Sequence, residues 1–498
     1  MAFWQNLPFL LILLPLAASS GMLLLKKDAA RRAALTIMGL EAAVSAAFLV
    51  CMAGFEGSYT YSMGHFPAPW GNEIRAGKLE AALAFCFAAV MFCSVLGGIR
   101  AIERDILPDR RNLYFIMCSL TLSALMAQVF TNDIFTGYVF LEIMTIAACA
   151  LIAARNTGRA LTAATRYMIM NLIGSGLFLL ALSLLYGLTG HLLMSPARER
   201  IAALAAGGQY RQPLTVVVAL TTIALGIKSA LFPFHTWVPD AYSFSTPSSS
   251  AILSSLVSKG YIVLLLKLYD RVFSPEVLLA TGVADVLFAF GAVGAVVGSL
   301  LAIRQVEIGR MIAYSSVAQI GYIYMAMGLG TGEGMLAAVF QLMAHTVVKA
   351  LLFLAAGGLC DASGGHHAFR DLRGSYYRHP AAASAFILGA FSLIGIPFTA
   401  GFIVKLTYAQ AAAAVGGGRM LILFFVLVAG TLMNAVYFGR TVITLFRARG
   451  DEIPGEPRWH GGAGFLVSCA FLAGATGLMG VTSDPVLQLL RRGLETFG

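Results

Sequence analysis

Residues 223–242 read IALGIKSALFPFHTWVPDAY, and how this stretch crosses a bilayer decides the fold of the whole chain. Its first half has the apolarity of a membrane-spanning helix, yet it carries Lys228, and a charge at bilayer depth costs at least about 2.5 kcal/mol. Five residues later Pro233 removes a backbone donor and clashes with the preceding turn. A broken helix survives at membrane depth only where its freed backbone groups meet protein or water. The stretch therefore predicts a membrane span interrupted inside a hydrated, protein-lined interior.

A second stretch has the same construction. Residues 392–410 read SLIGIPFTAGFIVKLTYAQ, with Pro397 and Gly401 just before Lys405. Around these two segments the chain is apolar throughout: 498 residues, 59% hydrophobic and 12% charged, far outside the range of a soluble multidomain protein. Hydrophobic runs of roughly 18–25 residues recur from end to end, each long enough to cross the hydrocarbon layer as a helix, and about 14 are counted. The fold class is an all-α polytopic membrane protein.

The two broken spans are the seventh and the twelfth, five apart. Paired interruptions in two halves of a chain are the sequence trace of an inverted-repeat transporter. The expected organisation is three N-terminal helices over 1–111, a first five-helix repeat over 112–268, a second and inverted one over 269–446, and span fourteen with its tail over 447–498. No hydrophilic segment exceeds about 25 residues, which excludes a soluble catalytic domain or nucleotide-binding fold.

The net charge of +10 comes from short clusters between spans, not from one face or tail, so nucleic acid is not a partner. Positive-inside bias accounts for the clusters: Lys26, Lys27, Arg31 and Arg32; Arg100, Arg104, Arg110 and Arg111; Arg440, Arg447, Arg449 and Arg458. It places both termini outside, in what is expected to be a bacterial inner membrane. The first apolar run, beginning at Pro8, has no basic segment before it and reads as a retained helix, not a cleaved signal. The seven cysteines are scattered and form no CxxC pair, so no iron–sulfur or zinc cofactor is expected and any electron transfer belongs to another subunit.

Six ionisable groups at span depth are the candidates for chemistry. Glu142 lies mid-span with no basic residue near it in sequence, and a buried carboxylate either protonates or finds a cation elsewhere in the fold. Lys228 is the obvious partner. The pair reads either as a switchable proton donor or as a structural ion pair fixing helix register. Lys259 follows the small-residue run Ser248 to Ser255, which permits close helix packing and needs a partner or solvent for the lysine. His345 and Lys349, at i and i+4, share one helix face and read as a relay. Lys405 either ends such a relay or is simply neutral. His235, after Pro233, sits at the inner end of the broken helix, as a proton inlet or as a structural histidine. Glu41 and Asp285 carry less weight, and the cluster Cys360, Asp361, His366 and His367 matches no metal motif and reads as a solvated loop.

Five segments together resemble the antiporter-like membrane subunits shared by respiratory complex I, Mrp-type sodium/proton antiporters and membrane-bound hydrogenases. They are FLEIMT around Glu142, the stretch from Lys228 to Lys259, AIRQVEIGRMIAYSSVAQIGY from Ala302 to Tyr322, FQLMAHTVVKALLFLAAG from Phe340, and IGIPFTAGFIVK ending at Lys405. The resemblance spans roughly Asn112 to Phe446. It implies 14 helices in two inverted five-helix repeats, with helices seven and twelve broken. It also implies that Glu142 and Lys228 are a coupling pair, that Lys259, His345 and Lys349 form a central relay, and that Lys405 is the exit lysine. Implied partners are other membrane subunits, homologous antiporter-like ones included, the lipid bilayer, and protons or possibly Na+. Because the sequence stops soon after span fourteen, it is expected to correspond to a middle antiporter-like subunit, or to an Mrp or hydrogenase counterpart, without a long lateral helix.

The expected function is that of a proton-translocating, non-redox subunit of a multisubunit respiratory complex or cation/proton antiporter. A stand-alone carrier of an organic solute would also have inverted repeats and midplane sites, but with a substrate pocket in place of a chain of protonatable groups. A structural subunit would use its charges only for helix packing.

Overall fold

Apolar helices form wherever backbone groups must be satisfied away from water, and the computed structural model is built almost wholly of them. It describes residues 3–63, 66, 71–208, 210–447 and 462–497; Arg449 and Arg458 lie outside these. Twelve helices among the described residues are long and apolar enough to cross a membrane. They include α1 (Leu7–Met22), α2 (Lys27–Ala53), α3 (Lys78–Asp105), α4 (Arg111–Phe130), α5 (Ile134–Ala153) and α6 (Gly158–Thr189). The chain then enters α7 (Arg211–Ser229), the long interrupted α8 (Pro247–Ala280), α9 (Val283–Ile303), α10 (Ile308–Met327) and α11 (Gly332–Ala362). Two short apolar helices follow, α12 (Pro380–Ile394) and α13 (Ala400–Val415), and then α14 (Gly417–Phe446), α15 (Ala463–Val481) and a last amphipathic helix, α16 (Ser483–Glu495). The 20-residue α10 and the pair α12–α13 are not among the twelve, and they stand where the remaining two spans are expected.

Connections alternate between two faces. One carries a two-stranded hairpin, Tyr59–Ser62 paired antiparallel with Glu73–Ala76, and is called the hairpin face here. The opposite face carries most of the arginines of the short loops and is called the arginine-rich face. Helix starts follow local chemistry: Asp133 accepts from the Thr136 N–H at 2.6 Å, Thr157 from Ala160 at 3.3 Å and Thr331 from Gly334 at 3.1 Å.

Both expected breaks are present. After Ser229 the chain turns through Ala230 at φ +69°, and the Leu231 N–H returns to the Gly226 carbonyl at 2.8 Å, a left-handed cap that satisfies an orphan acceptor. The second break runs from Gly395 at φ +89° to Phe398 at φ +70°, between α12 and α13. A third irregularity lies in α8, where Leu253–Val257 and Tyr269–Phe273 are π-helical. The apolar windows of α8 and α11 are entirely buried, so these two helices form the axis of the bundle.

The tightest helix pair is α9 with α10. A Cβ on Gly321 would lie 2.5 Å from the Ala295 nitrogen, and one on Gly298 2.6 Å from the Ala318 nitrogen, so the backbones touch through glycine. Gly321→Leu is expected to force the two helices apart and lower stability by about 1–3 kcal/mol, read as a fall in the thermal unfolding midpoint of the detergent-solubilised protein. An unchanged midpoint would contradict the packing.

Candidate functional site

The first broken helix ends one residue past Lys228, so its last turn presents the lysine to the interior. Its Nζ lies 3.4 Å from Glu142 Oε1 on α5 and donates to Thr145 Oγ1 at 3.0 Å. Ser175 of α6 donates to the same carboxylate oxygen. Glycine makes the approach possible: a Cβ on Gly174 would sit 3.1 Å from Lys228 Cγ and 3.0 Å from the Ala224 carbonyl. Lys228 is fully buried, whereas the Glu142 side chain keeps 24% of its exposure, so the pair has a sealed cation and a carboxylate at the edge of the bundle. Below them the Tyr261 ring faces Lys228 Nζ at 5.4 Å, and its hydroxyl joins Thr145 at 3.0 Å and Tyr167 at 3.3 Å.

Lys259 has no carboxylate partner among the described residues. Its ammonium donates to the Ser254 carbonyl and to Ser258 Oγ at 3.1 Å. Ser254 lies in the π-helical turn immediately before it, whose i→i+5 pattern leaves carbonyls free of the normal ladder. Lys349 on α11 is held in the same way, by the Ile312 carbonyl at 3.0 Å and by Ser315. His345 stands within electrostatic reach of both lysines, and neither of its ring nitrogens has a partner among the described residues. Thr346 donates to the Ser255 carbonyl at 3.0 Å and ties α11 to the π turn.

Lys405 lies in the second turn of α13. It donates to the Ile394 carbonyl, freed by the second break, and to Thr431 Oγ1 at 2.6 Å. Gly395 is obligatory beside it, because a Cβ there would fall 2.7 Å from Lys405 Nζ. His345 and Lys405 line one small cavity of about 30 Å³ with Gln319, Gln341 and Asn434. That volume holds about one water.

Among the described residues His235 makes no hydrogen bond or ring contact with any of these groups. It stacks on Phe232 with ring centroids 5.5 Å apart and meets Tyr314 edge-on at 6.4 Å, with Nδ1 unpartnered among the described residues. Just beyond it Asp240 is clamped between Arg166, at 2.5 Å, and Arg310. Glu41 is fully buried with both oxygens unpartnered among the described residues, and Asp285 pairs with Arg419. The 360–367 cluster is only partly a solvated loop: Cys360 is buried and Asp361 pairs with Arg104 at 2.5 Å, while His366 is exposed. No metal-binding group of His, Cys, Asp and Glu occurs among the described residues.

The sequence reading missed a buried charge cluster at the hairpin face. Arg271 pairs with Glu80, both 2% exposed, and donates to the Phe497 carbonyl at 2.6 Å and to Asn132 Oδ1 at 3.3 Å. Lys267, one turn before, donates to the Thr131 carbonyl at 2.7 Å. Their i, i+4 spacing at the end of an apolar run was the available signal, but charges at a span end ordinarily snorkel to water.

A bundle of membrane-crossing helices in which two broken helices each deliver a buried lysine to a polar interior belongs to the broken-helix class of transporter-like membrane proteins. Residues 131–432 match the family described as NADH:quinone oxidoreductase/Mrp antiporter, TM, and the chain belongs to it. It is 32% identical over 448 residues to NADH-quinone oxidoreductase subunit N of Desulforudis audaxviator, covering 88% of this chain and 86% of that one. It is 24% identical to a Na(+)/H(+) antiporter subunit of Bacillus subtilis, over 99% and 97% of the two chains. Among solved structures, a chain of an archaeal membrane-bound sulfane sulfur reductase superposes with a TM-score of 0.88 at 27% identity, covering 99% of this chain and 98% of that one. A chain of the Mrp complex from Dietzia sp. DQ12-45-1b shares the fold, with a TM-score of 0.86 at 21% identity over 100% and 98%. The chain is an antiporter-like integral membrane subunit of a multisubunit complex.

The Glu80–Arg271 contact yields a stability prediction. Glu80→Gln leaves a buried guanidinium without its counter-ion and is expected to cost about 3–5 kcal/mol, while adding Arg271→Met to it recovers much of the loss. Thermal unfolding of the four proteins of the cycle reads the coupling; additive losses would mean the pair does not interact.

Proposed function

We propose that this subunit carries protons across the membrane along a buried line from Glu142 and Lys228, through Lys259, His345 and Lys349, to Lys405, and holds no redox centre of its own. The observation that carries the reading is that Lys259, Lys349 and Lys405 are held by neutral oxygens and have no carboxylate partner among the described residues. A lysine held at membrane depth only by neutral oxygens has no counter-ion to lock its charge in place, so it can exchange a proton with a neighbouring group. A scaffold gains nothing from such groups.

The coupling pair starts the cycle. While Glu142 stays close, Lys228 keeps its proton; when a signal from a neighbouring subunit draws the carboxylate away, Lys228 gives the proton up toward Lys259. The uncovered edge of Glu142 suits such a signal. Lys405 then releases the proton on the hairpin face, which positive-inside bias makes the outer one, of a bacterial inner membrane with both termini outside. Segments 112–268 and 269–446 act as the two inverted repeats, and His235 serves as a secondary inlet at the arginine-rich face. Each elementary charge moved against 100 mV costs about 2.3 kcal/mol, so the work comes from partner subunits, through their redox reaction or another ion gradient. Protons are favoured over Na+ because a cationic lysine repels a metal cation. A carrier of organic solutes is disfavoured, since the cavity joining His345 and Lys405 is about 30 Å³ and ligand sites commonly run to ≈ 300–1,000 Å³.

Proteoliposomes holding the intact complex test the reading. Lys228→Ala and Glu142→Ala are each expected to lower proton translocation at least tenfold while the complex still assembles. Unaltered pumping by both would leave a structural ion pair and sink the relay.

A further inference from the structure

The Glu142–Lys228 pair is looser than its charges require. An ammonium in full contact with a carboxylate ordinarily stands about 2.7–2.9 Å from its oxygen, whereas Lys228 Nζ lies 3.4 Å from Glu142 Oε1. It comes closer to a neutral group, Thr145 Oγ1, at 3.0 Å. Glu142 and Thr145 are three residues apart on α5 and share one face of that helix. The same helix therefore offers the ammonium two acceptors side by side, one charged and one not. The carboxylate is engaged elsewhere too, since Oε1 accepts from Ser175 of α6.

Thr145 is held in place for this contact. It is buried, and its hydroxyl donates to the Leu141 carbonyl at 2.9 Å. A hydroxyl has one proton to give and two lone pairs, and with the proton given to Leu141 the lone pairs take the Lys228 ammonium and the Tyr261 hydroxyl of α8, the latter at 3.0 Å. Tyr261 oxygen then accepts from Tyr167 of α6 at 3.3 Å. Every donor in the set has one direction, and Thr145 faces the lysine as a fixed acceptor. The other charges nearby are occupied: Lys259 and Lys267 of α8 are bonded to Ser254 and Ser258 and to the Thr131 carbonyl, and Asp285 of α9 is taken by Arg419.

We propose that Thr145 is a positioning residue for the coupling pair: its hydroxyl is a second seat for the Lys228 ammonium and holds it clear of full contact with Glu142. The pair thus rests half open, and a small displacement of the carboxylate completes the separation. Without the hydroxyl, the ammonium has Glu142 as its one close acceptor among the described residues and closes onto it. A carboxylate at shorter range holds the proton on the lysine more firmly. The proposal rests on the proton-translocation reading and adds to it the group that sets how tightly the pair is shut.

Thr145→Val is the decisive variant, because it removes the oxygen and keeps the branched shape of the side chain. In proteoliposomes of the intact complex it is expected to assemble and to lose proton flux about tenfold at neutral pH, the effect of holding one proton tighter by about one pK unit. The loss is expected to shrink as the pH is raised, because a proton held more firmly leaves only at lower proton concentration, and Thr145→Ser, which keeps the hydroxyl, is expected to pump near the wild-type level. Wild-type flux in Thr145→Val beside a dead Lys228→Ala overturns the positioning role and leaves the relay standing. Wild-type flux in both overturns the proton-translocation reading as well. A loss that is the same at every pH, or that Thr145→Ser shares, is a packing defect and also overturns the proposal. If Thr145→Val does not assemble, Thr145→Ala decides in its place by the same comparisons.

Discussion

The structure depends on one constraint: a cation buried at membrane depth must find oxygen, and a regular helix has little to spare, because its carbonyls are already bonded within the ladder. The fold answers, at two of its lysines, with irregular backbone beside them. Lys405 takes the Ile394 carbonyl released by the second break, and Lys259 takes the Ser254 carbonyl of a π-helical turn. Two lysines differ: Lys228, which ends a helix, meets a true carboxylate at 3.4 Å, and Lys349 takes the Ile312 carbonyl and Ser315 hydroxyl of the unbroken α10. The irregular backbone at these points is what makes a lysine at such depth tolerable.

That solution has a chemical consequence. Carbonyl and hydroxyl oxygens solvate an ammonium without pairing with it, and the proposed relay depends on that difference. A carboxylate at each lysine would have made four inert salt bridges. One carboxylate, set at the bundle's edge and partly uncovered, instead leaves a single pair, the one the proposed function makes the coupling point. Glycine supplies the clearance in both halves, at Gly174 beside Lys228 and at Gly395 beside Lys405.

The two buried charge systems differ in kind. Glu80 and Arg271 are both sealed, the guanidinium is further satisfied by acceptors on Asn132 and Phe497, and it anchors the segment after α16 against the hairpin face. The lysine line is sparsely partnered, and His345 has no partner for either ring nitrogen among the described residues. Dense pairing serves packing; sparse pairing is what the proposed proton path requires.

The sequence by itself determined the helical membrane fold, both broken helices and the charges at span depth, because hydropathy, proline and intramembrane lysine are local signals that water and lipid enforce residue by residue. Glu142 and Lys228 were legible as partners only because each otherwise lacked one. The tertiary structure alone decided that Ser175 and Thr145 complete that pair, that His345 and Lys405 share a cavity, that His235 stands apart from the line, and that Lys267 and Arg271 are buried instead of snorkelling. These are contacts across helix faces, and an all-apolar span carries no amphipathic stripe to say which face turns inward; only the packing of α8 and α11 at the bundle's axis fixes it.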